Sequence, residues 1–294
     1  EGVCLGGSWA GFRSLMIGVV SEGKRTQAHY IESLMVEIGY AVGPLAVTAV
    51  AFLWNADAAV WAMAASELAG ILALRGLTLA PSTAQHPPRH KPEVEKRGSG
   101  LPRKVYLMSA MACASSFGFA LVESNVPARM AQFRLPASSA GLFMALLAGG
   151  SCLGGVAVSM RPARQMSVLV RAVLLFGAFA ILTLPSALAT SPWLFALVLP
   201  INSLPLVPLN GLNASEIDHA VGSTSRGRAF GVMNAATRLG GGSGAMLNGL
   251  LLPFVAARRI PLASSADFVL VAVVLLVALG VSRVKTRARS VGTA

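Results

Sequence analysis

The sequence predicts an all-helical membrane protein of about nine transmembrane helices, forming two pseudosymmetric sets joined by one polar linker. Three observations carry that prediction. Of 294 residues, 54% are hydrophobic and only 12% are charged, and the mean hydropathy is +0.66. Soluble domains carry roughly a quarter charged residues. Apolar runs of near twenty residues recur along the chain, the length a helix needs to cross about 30 Å of hydrocarbon. Finally, one stretch repeats in register 201 residues further on. The net charge of +12 would suggest nucleic acid on a soluble chain. Here the basic residues form short clusters between apolar runs, without a basic stripe and interleaved aromatics, which argues against that partner.

The apolar runs span 3–20, 31–54, 57–79, 105–125, 139–160, 167–187, 192–213, 229–256 and 264–282. They are continuous rather than alternating, so they read as helices and not as barrel strands. The second run holds EIGYAVGPLAV, in which Glu37, Gly39, Gly43 and Pro44 are all poor choices for an ordinary buried helix. A charge in hydrocarbon costs on the order of 2.5–3.5 kcal/mol on insertion scales. Small residues let two membrane helices approach closely, and proline bends a helix. The third run carries Glu67 with no partner near it in sequence. Residues 80–104 form the one long polar segment and contain Pro81, Pro87, Pro88, Pro92 and Pro102, the pattern of a flexible linker. Three runs precede it and six follow. The run at 192–213 holds Pro200, Pro205 and Pro208, which predict a bent helix. NASEIDH, 213–219, reads as a solvated loop, and His29, His86, His90 and His219 read as loop or interface residues.

Orientation follows from Lys and Arg. With 80–104 cytoplasmic, the loops near residues 24–25, 89–104, 161–164, 226–228 and 283–289 share its side and hold most of the basic residues. The opposite loops hold Arg129, Arg134, Arg258 and Arg259. The C-terminal tail is then cytoplasmic, and the expected location is the plasma (inner) membrane.

The repeat aligns RTQAHYIESLMVEIGYAVGPL from Arg25 with RGRAFGVMNAATRLGGGSGAM from Arg226. Gly39 falls on Gly240, Gly43 on Gly244, Pro44 on Ala245 and Glu37 on Arg238. The same offset puts the partner of the run at 105–125 before Glu1. The chain therefore reads as N-terminally truncated, its first half lacking three helices.

Two six-helix halves around a basic loop resemble the major facilitator superfamily. Gly39-x-x-x-Gly43-Pro44 resembles that family's fifth-helix antiporter motif, and RGRAF followed by GVMNAATRLGGGSG resembles the start of its eleventh helix. The resemblance covers the chain as helices four to twelve of twelve. It implies residues 1–79 as the end of the first half, 80–104 as the cytoplasmic linker and 105–294 as the second half. Two departures stand out. Ala46 and Val47 replace a further glycine pair, and Ser159 stands where the second loop motif has an aspartate.

The resemblance implies a secondary transporter that moves a small molecule by alternating access, with proton-coupled efflux as the leading reading. It implies cavity residues on the fourth helix (Trp9, Arg13), the seventh (Ser115, Ser116, Glu123) and the tenth (Asn202, Ser203, Asn210). Glu37, Arg238 and Glu67 are the candidates for proton coupling or gating, with a Glu37–Arg238 pair joining the halves. Gly39, Gly43, Pro44, Gly240 and Gly244 are the helix-packing candidates, the first three at the interface of the halves. The expected partners are the lipid bilayer, a small-molecule substrate and protons, with no obligate protein partner, cofactor or metal. Cys4, Cys113 and Cys152 fall in apolar runs without metal spacing, and no P-loop, HExxH or GxSxG appears, so the chain does not read as an enzyme. The alternatives are an importer or symporter of the same fold, a membrane-embedded enzyme or scaffold, and an inactive fragment.

Overall fold

A computed structural model describes residues 16, 20–76, 100–159, 166–222 and 224–291. The regular structure among them is helical: α1 Arg25–Leu53, α2 Ala56–Gly76, α3 Arg103–Glu123, the short α4 Val126–Gln132, α5 Ala140–Ser159, α6 Val168–Leu188, α7 Pro192–Ser203, α8 Leu206–Ala220, α9 Arg226–Leu251 and α10 Ile260–Val291. Most of the run at 3–20, including Cys4, Trp9 and Arg13, lies outside the described residues, as does most of the linker.

Among the described residues, six helical spans are long and apolar enough to cross a membrane: 25–53, 103–132, 140–159, 168–188, 192–220 and 257–280. Their outer faces carry bare hydrophobic side chains such as Trp193, Ile181, Leu188 and Leu270. Water would penalise such a surface and hydrocarbon would not.

Local sequence explains the helix boundaries. The hydroxyl oxygens of Ser167 and Ser191 accept from the backbone amides of Val170 and Leu194, capping α6 and α7. Helices α1 and α9 both begin on the arginines that the repeat aligns, six and three residues before the predicted apolar runs. The predicted bend near Pro205 is a break: α7 ends at Ser203 and α8 starts at Leu206. Helix α8 then continues to Ala220, so NASEIDH is not the solvated loop expected. Asn213, Ser215, Glu216 and Asp218 are buried helical residues. Their charges are accommodated because basic side chains from four other helices reach them.

The helices after the linker pack into one bundle. Phe179 stacks on Phe268 at 4.5 Å between α6 and α10. A Cβ added to Gly240 or Gly244 would run into the backbone of Cys113 or Phe117, so α9 lies directly on α3. Gly150 and Gly154 bring α5 equally close to the Pro200 and Leu204 carbonyls. Close backbone approach through small residues is the usual way to pack helices in a membrane, where no hydrophobic effect separates helix from lipid. Arg129 is 1% exposed: its guanidinium donates to the Ala189 carbonyl and to Gln132, and lies over the rings of Phe133 and Phe195.

Candidate functional site

One face of α1 lies against that bundle along the whole helix. At about 100° per residue, Thr26, Tyr30, Ser33, Glu37, Pro44 and Thr48 form a single stripe. Thr26 Oγ1 is 2.9 Å from Ser215 Oγ on α8. The Tyr30 ring occupies the space that a side chain at Gly211 would need. Leu34 and Val207 flank Gly155, and Pro44 and Thr48 sit over Gly141.

Midway along this stripe the helices part around a cavity of about 290 Å³. Its wall contains Ser33, Glu37 and Tyr40 from α1; Ser116, Phe119 and Glu123 from α3; Met144 and Leu147 from α5; Asn210 and Asn213 from α8; and Asn234, Thr237 and Arg238 from α9. Apolar patches and amide groups alternate on this wall, and two carboxyl groups and one guanidinium face the space. Such a lining suits a small molecule with both apolar and polar parts.

Glu37 is 6% exposed and Ser151 is fully buried; Glu37 Oε2 lies 2.7 Å from Ser151 Oγ on α5. No ion pair engages Glu37 among the described residues. The expected Glu37–Arg238 pair is therefore not formed in this structure, although both residues border the same cavity.

Two polar clusters lie where α8 ends and α9 begins. Asp218, with a side chain 1% exposed, sits 2.7 Å from Arg226 Nε and 3.7 Å from His29 Nε2. Glu216 holds Lys104 at 2.6 Å and Arg171 at 3.1 Å. These contacts join α1, α3, α6, α8 and α9 at one level. His29 is thus buried against Phe230 inside the helix contact, rather than lying in a loop or at an interface with solvent.

The candidates from the sequence divide accordingly. Glu37, Ser116, Glu123, Asn210 and Arg238 face the cavity. Ser115 turns back onto the Ala112 carbonyl, Ser203 onto the Leu147 carbonyl, and Asn202 accepts from Thr183 at 2.8 Å. Ser203 and Asn202 tie neighbouring helices together, Ser115 bonds within its own helix, and all three lie off the cavity wall. Glu67 is exposed on α2, away from the cavity. Trp9 and Arg13 fall outside the described residues.

Gly240 and Gly244 lie against the α3 backbone within the bundle, whereas Gly39 and Gly43 lie against no neighbour. A Cβ on either would meet no atom within 4 Å. The reason is helical phase: they lie about 200° and 240° around α1 from Glu37, behind the stripe. Pro44 is on the stripe and does reach α5. The glycines that let α1 approach are on the bundle side, at 141, 155 and 211.

Sequence reasoning missed Ser151, Asn213, Asn234, Tyr40 and the His29–Asp218–Arg226 cluster. A signal existed for two of these groups. Polar residues at 26, 29, 30, 33, 37 and 40 recur at helical spacing on one face of an apolar helix. Gly141, Ala145, Ala148, Ser151 and Gly155 form a small-residue stripe on α5 facing it.

Residues 1–245 match the family model described as Major Facilitator Superfamily. No curated protein matches the chain.

Proposed function

The chain belongs to the major facilitator superfamily, whose members carry small solutes across membranes, and from that premise we propose that it exports an amphipathic small molecule in exchange for protons. It is a multi-pass membrane protein whose substrate binds in the cavity between α1 and the bundle that follows the linker. Residues 25–76 move as the end of one half and 103–291 as the other, rocking about the cavity in the manner of alternating access. The basic loops face the cytoplasm of the cell, as the distribution of Lys and Arg favours.

One observation carries this reading. Glu37 sits buried in the membrane-spanning part of α1, faces the cavity, and has no cation beside it among the described residues. An ionisable group held at membrane depth is expensive to keep, and a proton site on the transport path accounts for that expense. Moving one proton inward through 100 mV releases about 2.3 kcal/mol, enough to concentrate a neutral solute roughly fifty-fold. Phe119, Met144, Leu147 and Met233 supply apolar surface to the cargo, and Asn210, Asn213 and Asn234 supply hydrogen bonds. His29 on α1 and Asp218 on α8, which face each other across the two halves, close the cytoplasmic end.

The test is flux in proteoliposomes across a panel of amphipathic compounds, with and without an imposed pH gradient. Wild type is expected to accumulate at least one compound against its gradient only when protons run the other way. Glu37→Gln is expected to abolish that dependence. Equal distributions with and without the gradient for every compound would overturn the proposal.

A further inference from the structure

The surroundings of Ser151 go beyond this reading while resting on it. Ser151 Oγ lies 2.7 Å from Glu37 Oε2 and also 2.7 Å from the Ala148 carbonyl oxygen. A serine hydroxyl has one hydrogen to donate, an ionised carboxylate has none, and a carbonyl has none. With Glu37 ionised, one hydrogen must serve both contacts, and one of them sets two lone pairs against each other in a fully buried place. With Glu37 protonated, its carboxyl O–H donates to Ser151 Oγ, and the Ser151 O–H donates to the Ala148 carbonyl. Both contacts then become ordinary O–H···O bonds.

We infer that Glu37 carries a proton in this conformation, and that Glu37, Ser151 and the Ala148 carbonyl form a proton-dependent latch joining α1 to α5. Ser151 is a positioning residue: it aims the carboxyl oxygen and reports its protonation to the backbone of the opposite half. When the proton leaves for cavity water, the carboxylate takes the only hydroxyl hydrogen. The Ala148 bond is lost, and a bare charge stands in a nearly dry contact. Parting of α1 from α5 admits water to the charge and relieves both defects. The other titratable or charged groups facing Glu37 are Glu123 from α3, Cys152 from α5, Arg238 from α9 and Tyr40 on α1 itself. Helix α8 presents the neutral Asn210 and Asn213.

Two measurements on the full chain in lipid nanodiscs test the latch without a substrate. The first is the infrared carbonyl stretch of protonated carboxylic acids at neutral pH. Glu37→Gln is expected to remove one such band, Ser151→Ala to move that band to higher frequency, and Glu123→Gln to leave it in place. The second is the distance between spin labels at Gln27 and Ala157. Raising the pH is expected to lengthen it in wild type but not in Glu37→Gln, whose amide still donates to Ser151. Ser151→Ala is expected to lower the short-distance population at least five-fold at acid pH, while Ser151→Ala on a Glu37→Leu background changes nothing further. A band that survives Glu37→Gln, or a band indifferent to Ser151→Ala, overturns the inference. So does a wild-type distance that ignores pH. Failure of solute exchange with these signals intact counts against proton-coupled export and leaves the latch standing.

Discussion

Replacing Asp218 with asparagine removes one charge and almost no volume. The side chain is 1% exposed and lies 2.7 Å from the Arg226 guanidinium. Removing one partner of a fully buried pair costs roughly 3–5 kcal/mol, because the other charge is left uncompensated. The Arg226 side chain is 14% exposed, so water recovers part of that loss. An expected cost of about 2 kcal/mol follows for the folded bundle, since both residues lie within 103–291. At about 1.4 kcal/mol per factor of ten, that corresponds to roughly a thirty-fold change in the unfolding equilibrium constant. The assay is equilibrium unfolding in mixed detergent micelles. Asp218→Asn should lower the unfolding free energy by that amount. Arg226→Gln should do the same, and the double variant should add little, since the two side chains share one interaction. A stability in Asp218→Asn unchanged within about 0.5 kcal/mol of wild type would refute the assignment of this pair as a buried tie between α8 and α9.

Three further outcomes are expected. Gly240→Leu should destabilise the bundle by about 3 kcal/mol or more through overlap with the Cys113 backbone, whereas Gly39→Leu should stay within about 0.5 kcal/mol; thermal unfolding in detergent compares them. Asn202→Ala should cost about 1–3 kcal/mol by leaving Thr183 Oγ1 without its acceptor, seen as a lower Tm, while the KM for any transported compound stays the same. Asn210→Leu should instead leave Tm within a few degrees and change KM at least five-fold, because Asn210 faces the cavity and Asn202 does not.

The architecture was legible because membrane helices announce themselves by length and continuity. Eight of the nine predicted runs fall on described helices, although α1 and α9 begin at Arg25 and Arg226, in what the sequence reads as basic loops. What escaped was phase. Glu37 and Gly39 are two residues apart and face nearly opposite ways, so a motif read as one unit spans two surfaces. The buried acids at 216 and 218 escaped because a string such as SEIDH looks solvated until its counter-charges are known. Lys104, Arg171 and Arg226 come from three other helices, and no local pattern brings them together. Asn202 and Asn210 differ for the same reason: eight residues apart, they fall on either side of the break at Leu204–Pro205.

The most direct test of the whole account is a reversible lock between the halves. Thr26 and Ser215 touch through their hydroxyls at 2.9 Å across α1 and α8. Thr26→Cys with Ser215→Cys, the native cysteines replaced by alanine, should form a disulfide on mild oxidation. Proton-driven flux of the best-transported compound should then stop and return on reduction. Flux that continues at the wild-type rate with the disulfide fully formed would contradict a mechanism in which α1 and the bundle must part at this end.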